Sequence, residues 1–237
     1  MYRLAANCIV NWQSSESNGL TATQSNGGSP VGNGGNLRVK SGNVRTMKTN
    51  VSKLLIFRFC NIRSIYNKSL EVHLFSIGSD ISAFVETRDS PELADSLFAD
   101  LRSYNVFRKP RNRNGGGVAI VTKKYLKAFR RADLETSDLE LLFVELPVSK
   151  SIFGVFYGPP SVVREKLIML LDHFRTLEPE AVNRMILVGD FNSPSINWSS
   201  DVSPRPPHIL HDFCEEFQFK QAVAFPTRLK NTSCLSA

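Results

Sequence analysis

The chain has 237 residues, of which 42% are hydrophobic, and carries a formal net charge of +7 at pH 7. This size and composition predict one globular domain plus a tail, and the positive charge favours an anionic partner such as nucleic acid. The four cysteines form no Cys-x-x-Cys pair, so neither a zinc site nor a disulfide framework is expected. This cysteine usage fits a reducing, intracellular compartment. No apolar stretch reaches the length of a membrane span and no continuous signal-peptide core is found at the N-terminus, so no membrane partner is expected.

Residues 1–50 differ in composition from the rest of the chain. They contain eight Asn and seven Gly but a single acidic residue, Glu16. A segment of this kind buries too little apolar surface to offset the entropy lost on ordering. We therefore predict that residues 1–50 form a disordered Asn/Gly-rich tail and that the folded domain spans 51–237.

Strand-like and helix-like segments alternate after residue 50. Continuous apolar runs predict buried strands, and apolar residues spaced three and four apart predict helices. The predicted strands are Leu54–Cys60, Asp80–Val85, Gly117–Thr122, Leu141–Leu146, Ile152–Tyr157 and Met185–Gly189. The predicted helices are Ser64–Ile77, one that begins at Pro91, Ser161–Leu177 and Pro207–Phe217. The fourth and fifth strands are joined by a linker short enough for a hairpin. The mixture predicts a layered α/β fold.

A stretch rich in basic residues lies between Arg102 and Arg131. It contains ten Lys or Arg residues and neither Asp nor Glu. Such a stretch either contacts the phosphates of a nucleic acid or forms a solvated basic face. The sequence leaves both interpretations open.

The segment Gly189-Asp190-Phe191-Asn192 follows the most apolar of the predicted strands. Side chains alternate along an extended chain, so Asp190 and Asn192 are expected on the same side at the end of the strand. A carboxylate beside an amide can orient a nucleophilic water and a phosphate oxygen. Alternatively, Asp190 only caps an Asx-rich turn.

Polar residues also follow the first two predicted strands. Asn61 ends the first strand and either orients a neighbouring carboxylate or caps the next helix. Glu86 ends the second strand, where it is either a ligand for a hard cation such as Mg²⁺ or a surface partner of Arg88. Tyr157 ends a later strand at a proline-rich corner, where its hydroxyl either contacts a phosphate or packs against the prolines.

The glycine run at 115–117 is a separate feature of the sequence. It lacks the GxxxxGK[ST] pattern, and a predicted strand rather than a helix follows it. A nucleotide-binding loop is therefore excluded, and the glycines are interpreted as a tight entry into a strand.

Together, the order of these motifs resembles the endonuclease/exonuclease/phosphatase superfamily. In detail, it is similar to the apurinic-endonuclease-like domain of non-LTR retrotransposons. The resemblance covers residues 53–228 and rests on Asn61, the VETR block with Glu86, GGGVAI, the FYGPPS corner, GDFN and the PTR turn at 226–228. It implies a layered sandwich of two β-sheets flanked by helices, as in DNase I.

The resemblance also implies roles for individual residues. Asn61 and Glu86 would belong to a site for Mg²⁺, or alternatively Mn²⁺, and no small-molecule cofactor is implied. Tyr157 would contact the scissile phosphate, and Asp190 would position or activate the attacking water. Asn192 would stabilise the pentacovalent phosphorus.

Two further residues are assigned to substrate binding by the same resemblance. Arg113 precedes the glycines and would face DNA, and Thr227 lies in the PTR turn. The implied activity is DNA nicking by in-line attack of water on a phosphodiester. The implied partner is DNA, and the implied cellular compartment is the nucleus. The oligomeric state is not implied.

The sequence departs from the family pattern at two points. The final block with Ser-Asp-His is not found after Arg228, so we expect a domain truncated at its C-terminus, without its last strands and with weak or no activity. Arg88 also stands where an aromatic residue usually follows the Glu-Thr pair. The alternatives are a phosphatase of the same superfamily and a non-catalytic remnant that binds nucleic acid through the basic stretch.

Overall fold

A computed structural model describes residues 7–11, 55–193, 196 and 208–222. These residues form two mixed β-sheets that pack face to face, with helices on their outer faces. The predicted α/β sandwich of two sheets flanked by helices is confirmed. None of the helices in the described ranges is long and apolar enough to cross a membrane.

The first sheet has four strands in the order β2-β3-β5-β4. β2 and β3 run parallel, and the other neighbours are antiparallel. The strands are β2 (Phe57–Asn61), β3 (Ile81–Val85), β4 (Tyr104–Lys109) and β5 (Val118–Lys123). β4 was not predicted, because its alternating polar residues are half-buried and give no continuous apolar run.

The second sheet has six strands in the order β10-β1-β9-β8-β7-β6. β8 and β9 are parallel, whereas β7 and β8 form the predicted antiparallel hairpin. The strands are β1 (Asn7–Asn11), β6 (Phe129–Arg130), β7 (Glu140–Leu146), β8 (Ser151–Tyr157), β9 (Met185–Asp190) and β10 (Phe219–Gln221).

β1 corrects one expectation from the sequence. It lies within residues 1–50, for which the composition predicts disorder, yet it pairs with both β9 and β10. The prediction is wrong for these five residues, because neighbouring strands supply hydrogen bonds that the segment cannot form alone. The rest of residues 1–50 lies outside the described ranges.

Four α-helices complete the described part of the chain. They are α1 (Ser69–Ile77), α2 (Val163–Arg175), α3 (Pro179–Val182) and α4 (Ile209–Glu216). α1 is shorter than predicted, and Leu70, Leu74 and Ile77 on its expected apolar face are exposed. Val72 and Ser76 are buried instead. The helix expected from Pro91 is only a 3₁₀ turn at Asp95–Leu97.

Three groups of buried side chains hold the layers together. The two sheets enclose one group, which includes Val85, Val144 and Val188. α2 and α4 cover the outer face of the second sheet through Phe174 and Phe213, whose rings meet edge to face with centroids 4.9 Å apart. The third group lies between α1 and the first sheet. Both sheets are therefore apolar on two faces, which explains the continuous apolar runs in the sequence.

Candidate active site

The polar residues predicted to form the site follow two pairs of parallel strands. In the first sheet, Asn61 pairs in register with Val85, so that Glu86 comes next to it. In the second sheet, Tyr157 pairs in register with Asp190. Because parallel strands end at the same edge of a sheet, each sheet presents two of these side chains together.

Asn61 connects the two sheets. Its side-chain Nδ2 donates to Oε1 of Glu86 at 2.7 Å and to Oδ2 of Asp190 at 3.1 Å. The alternative role of Asn61 as a helix cap is wrong, because α1 begins at Ser69 and Lys68 occupies the capping position. A single amide thus brings a carboxylate from each sheet into one cluster.

Asp190 is buried and uses its two oxygens differently. Oδ2 accepts from Asn61, and Oδ1 accepts the backbone N–H of Asn192 at 3.2 Å. The second contact is the Asx-type turn expected as the alternative role of Asp190. Asp190 therefore closes this turn and also belongs to the carboxylate cluster. Nδ2 of Asn192 donates to the carbonyl oxygen of Gly158 at 2.8 Å, which holds the amide beside the end of β8.

Tyr157 is almost fully buried, and its hydroxyl is hydrogen-bonded to Glu86. Burial raises the pKa of the Tyr157 hydroxyl well above its usual value, and the negative charge of Glu86 acts in the same direction. Tyr157 therefore remains protonated and is a hydrogen-bond donor within the cluster.

The Glu86 turn (residues 86–88) also contains Arg88. Nη2 of Arg88 lies 3.2 Å from Oε2 of Glu86. Glu86 is therefore an ion-pair partner of Arg88, as one interpretation expected, and at the same time a member of the cluster. Both residues have positive φ, at 52° and 51°. Such backbone costs about 1–3 kcal/mol per residue and persists only where its surroundings impose it. Nε of Arg88 is buried without a hydrogen-bond partner among the described residues.

Two loops hold the Glu86 turn in this conformation. The backbone N–H of Ile65 donates to Thr87 O at 2.9 Å from one side. From the other side, Gly116 O accepts the N–H of Arg88 at 2.8 Å, and Gly117 O accepts that of Thr87 at 3.2 Å. Gly116 and Gly117 have φ values of 72° and 84°, which confirms a tight entry into β5.

Arg113, one of the two predicted substrate-binding residues, is not part of this cluster. The guanidinium carbon of Arg113 lies 5.1 Å from the centroid of the Tyr66 ring, on the rim formed by the two loops. Thr227 lies outside the described ranges, so its role stays a prediction.

Most of the basic stretch is engaged within the protein. Seven of its ten cations pair with carboxylates, so it does not form one free phosphate-binding face. These seven are Arg102, Arg108, Lys109, Arg111, Lys123, Arg130 and Arg131. Arg108 is the most buried of them and pairs with Asp89, whose side chain is fully buried, at 2.5 Å.

Glu140 is a site residue that the sequence did not reveal. It pairs opposite Tyr157 on β7, and its charge contributes to the raised pKa of Tyr157. Oε1 accepts from Arg111 at 2.7 Å, and Oε2 accepts the backbone N–H of Gly117. A single Glu at the start of an apolar strand is an ordinary pattern, so no sequence signal distinguishes it.

The donor atoms of the cluster suit a hard cation. Glu86 and Asp190 offer carboxylate oxygens, and Oδ1 of Asn61, which accepts the backbone N–H of Arg63 at 3.2 Å, keeps a second lone pair for a cation. Mg²⁺ usually binds only one or two carboxylates together with water and phosphate oxygens. Within the described ranges no group of three or more His, Cys, Asp or Glu residues could hold a metal ion. The residues therefore fit Mg²⁺ or Mn²⁺ better than a metal that requires several nitrogen or sulfur ligands.

Comparison with solved structures found similar proteins at low sequence identity. An AP endonuclease from Archaeoglobus fulgidus is 18% identical, with 59% of this chain and 58% of that chain covered and a TM-score of 0.43. The endonuclease domain of TRAS1, a telomere-specific non-LTR retrotransposon, is 17% identical, with 67% and 68% covered and a TM-score of 0.45. The 3′ phosphatase NExo from Neisseria, bound to a product DNA hairpin, is 13% identical, with 58% of each chain covered and a TM-score of 0.43.

A comparison with curated proteins found no match. The sequence profile of the endonuclease/exonuclease/phosphatase family matches residues 59–231, which is well over half of the chain. The matched region contains all seven residues predicted to form the site. The chain belongs to the endonuclease/exonuclease/phosphatase family.

Proposed function

We propose that the chain is a metal-dependent phosphodiesterase that nicks DNA, of the kind found in non-LTR retrotransposons. The observation that carries the proposal is the double hydrogen bond of Asn61, which holds Glu86 and Asp190 from two different sheets in one cluster. Carboxylates held this way can serve a cation and a nucleophilic water at neighbouring positions. Members of this family typically use divalent metal ions.

The residues of the cluster have distinct parts in the proposed reaction. Glu86 and Asn61 would hold Mg²⁺ or Mn²⁺, which supplies Lewis-acid stabilisation of charge on the phosphate. Asp190 would orient the water for in-line attack and accept its proton. Asn192, which donates one Nδ2 hydrogen to Gly158 O, would donate the other to a phosphate oxygen, where charge develops in the transition state. Tyr157 would redirect its hydroxyl hydrogen from Glu86 to the phosphate when Glu86 serves the cation.

Ion pairs between the basic stretch and carboxylates elsewhere in the chain argue against one alternative function. A non-catalytic remnant that binds nucleic acid through residues 102–131 would need free cations, and seven of the ten are paired with carboxylates. A phosphatase of the same family would use the same cluster on a phosphate monoester. Parallel assays on plasmid DNA and on a phosphomonoester separate the two activities.

A plasmid-nicking assay tests the proposal directly. Purified full chain is incubated with supercoiled plasmid and Mg²⁺, with and without EDTA. Asp190→Asn is compared with Asp172→Asn, which changes an exposed carboxylate on α2. We expect weak, Mg²⁺-dependent nicking by the wild type and by Asp172→Asn, and at least a ~10²-fold further loss in Asp190→Asn. A folded wild type that leaves the plasmid intact contradicts the proposal.

From the proposed substrate we also propose a cellular location. An enzyme that nicks chromosomal DNA would work inside the cell, in the nucleus. Fluorescence microscopy of the tagged full chain tests this, and exclusion from the nucleus contradicts it.

A further inference from the structure

The rim of the candidate site is formed by two loops on either side of the Glu86 turn. The first follows β2 and contains Tyr66, and the second precedes β5 and contains Arg113. Each loop is hydrogen-bonded to the backbone of the turn, at Thr87 on one side and at Thr87 and Arg88 on the other. Any strand of nucleic acid that brings a phosphate to Glu86 must therefore pass close to these loops.

Tyr66 and Arg113 join the two loops above the turn. The guanidinium carbon of Arg113 lies 5.1 Å from the centroid of the Tyr66 ring. Tyr66 remains 37% exposed and belongs to none of the three buried groups, although its neighbour Ile65 is completely buried. An exposed cation–π contact contributes only about 0.5–1 kcal/mol, so core packing does not account for a large ring at this position.

Charge on the rim favours a polyanion beside the Tyr66 ring. Arg63 in the first loop is exposed and has no carboxylate partner among the described residues, and its backbone has a positive φ of 54°. Arg113 is exposed as well and has the exposed Glu92 nearby. Two exposed cations, Arg63 and Arg113, thus lie on the loops that hold the Glu86 turn, and Arg113 contacts the exposed Tyr66 ring.

We propose that Tyr66 and Arg113 form a stacking platform for an unpaired base next to the scissile phosphate. This inference rests on the proposed function and adds a preference for substrates with unpaired nucleotides. Aromatic and guanidinium planes stack with any base, and adjacent cations follow the phosphate backbone. A base within an intact duplex is already stacked and paired, so the platform selects single-stranded or locally opened DNA.

Binding measured without cleavage tests the platform. Fluorescence anisotropy in EDTA compares a labelled single-stranded oligothymidylate with a duplex of the same length. Tyr66→Ala and Arg113→Ala are expected to weaken single-strand binding at least about five-fold, and Tyr66→Phe to retain it, because the ring does the stacking. Duplex binding should change less than about two-fold. Phe129→Ala and Arg102→Ala are the matched controls, since both change exposed residues away from the rim.

The outcomes separate this inference from the proposed function. Equal weakening of single-strand and duplex binding overturns the platform, as does unchanged single-strand binding in folded Tyr66→Ala protein. Wild type that does not bind the single strand also overturns it. If Tyr66-dependent binding is found in a chain that does not nick plasmid, the platform stands and the proposed function fails. Circular dichroism of each variant confirms that the fold is retained.

Discussion

Nδ2 of Asn61 lies 3.1 Å from Oδ2 of Asp190, although 129 positions separate the two residues in the chain. The contact crosses from the end of β2 in one sheet to the end of β9 in the other. It makes the geometry of the carboxylate cluster depend on how the two sheets pack.

Removal of the Asn61 amide should therefore release the cluster. We expect Asn61→Ala to lower nicking activity and Mn²⁺ affinity by about 10–100-fold, as is usual when a group that orients metal ligands is lost. Calorimetric titration with Mn²⁺ measures the affinity independently of activity. Asn67→Ala, in the exposed loop after β2, is the control. Unchanged Mn²⁺ affinity in folded Asn61→Ala would contradict the assigned role.

Arg88 should compete with a cation for Glu86. Its guanidinium lies 3.2 Å from a carboxylate oxygen of Glu86, and the side chain is 38% exposed. An ion pair this exposed contributes at most about 1 kcal/mol, so Arg88→Ala should increase Mn²⁺ affinity by no more than about five-fold. Arg88→Lys keeps the charge and should stay near the wild type. Weaker Mn²⁺ binding by Arg88→Ala would show that Arg88 supports the metal site instead.

Tyr157 should remain protonated in alkaline solution. Burial and the charge of Glu86 raise the pKa of its hydroxyl above the usual value near 10. The unfolded chain ionises this tyrosine first, so its contribution to stability is complete below pH 10 and is lost as the pH rises further. Phenolate absorbance of the wild type and of Tyr157→Phe should coincide in the folded state at about pH 10.5. After unfolding at the same pH the two should differ by about three quarters of one phenolate. A difference already present in the folded state would refute the assignment.

The buried ion pair between Arg108 and Asp89 should contribute more to the free energy of unfolding than the exposed ion pair of Arg102. Arg108→Met leaves the fully buried Asp89 carboxylate without its cation, which costs about 3–5 kcal/mol. Arg102→Met breaks an exposed pair and should cost less than about 1 kcal/mol. Urea denaturation gives both values. The double variant Asp89→Asn/Arg108→Met should recover part of the loss, because the buried carboxylate is neutralised and only Asp95, whose side chain is 44% exposed, loses its cation.

Cys60 and Cys214 should resist alkylation in the folded protein. Burial raises the pKa of the Cys60 thiol to about 11 and that of the Cys214 thiol to about 12, so the reactive thiolate is scarce at pH 8. Peptide mapping after iodoacetamide treatment should find both residues unmodified until urea is added. Rapid labelling of either residue in native conditions would show that its surroundings open readily.

Much of the fold and the candidate site could be predicted from local sequence patterns. Apolar runs mark six of the ten strands in the described part of the chain, and a polar residue at the end of a buried strand identifies Asn61, Glu86, Tyr157 and Asp190. These patterns can be recognised in the sequence because a strand that is covered on both faces must be continuously apolar. A change to polar residues then marks the end of the strand.

Only the tertiary structure determines which partners these residues contact. The sequence could not show that Asn61 joins carboxylates from two sheets, that Glu140 holds the glycine loop, or that β1 pairs with β9 and β10. Nor could it show that carboxylates outside the basic stretch neutralise most of its charge. The reason is physical: hydrophobic periodicity is a property of neighbouring residues, whereas hydrogen bonds and ion pairs join partners that only the packed chain brings together.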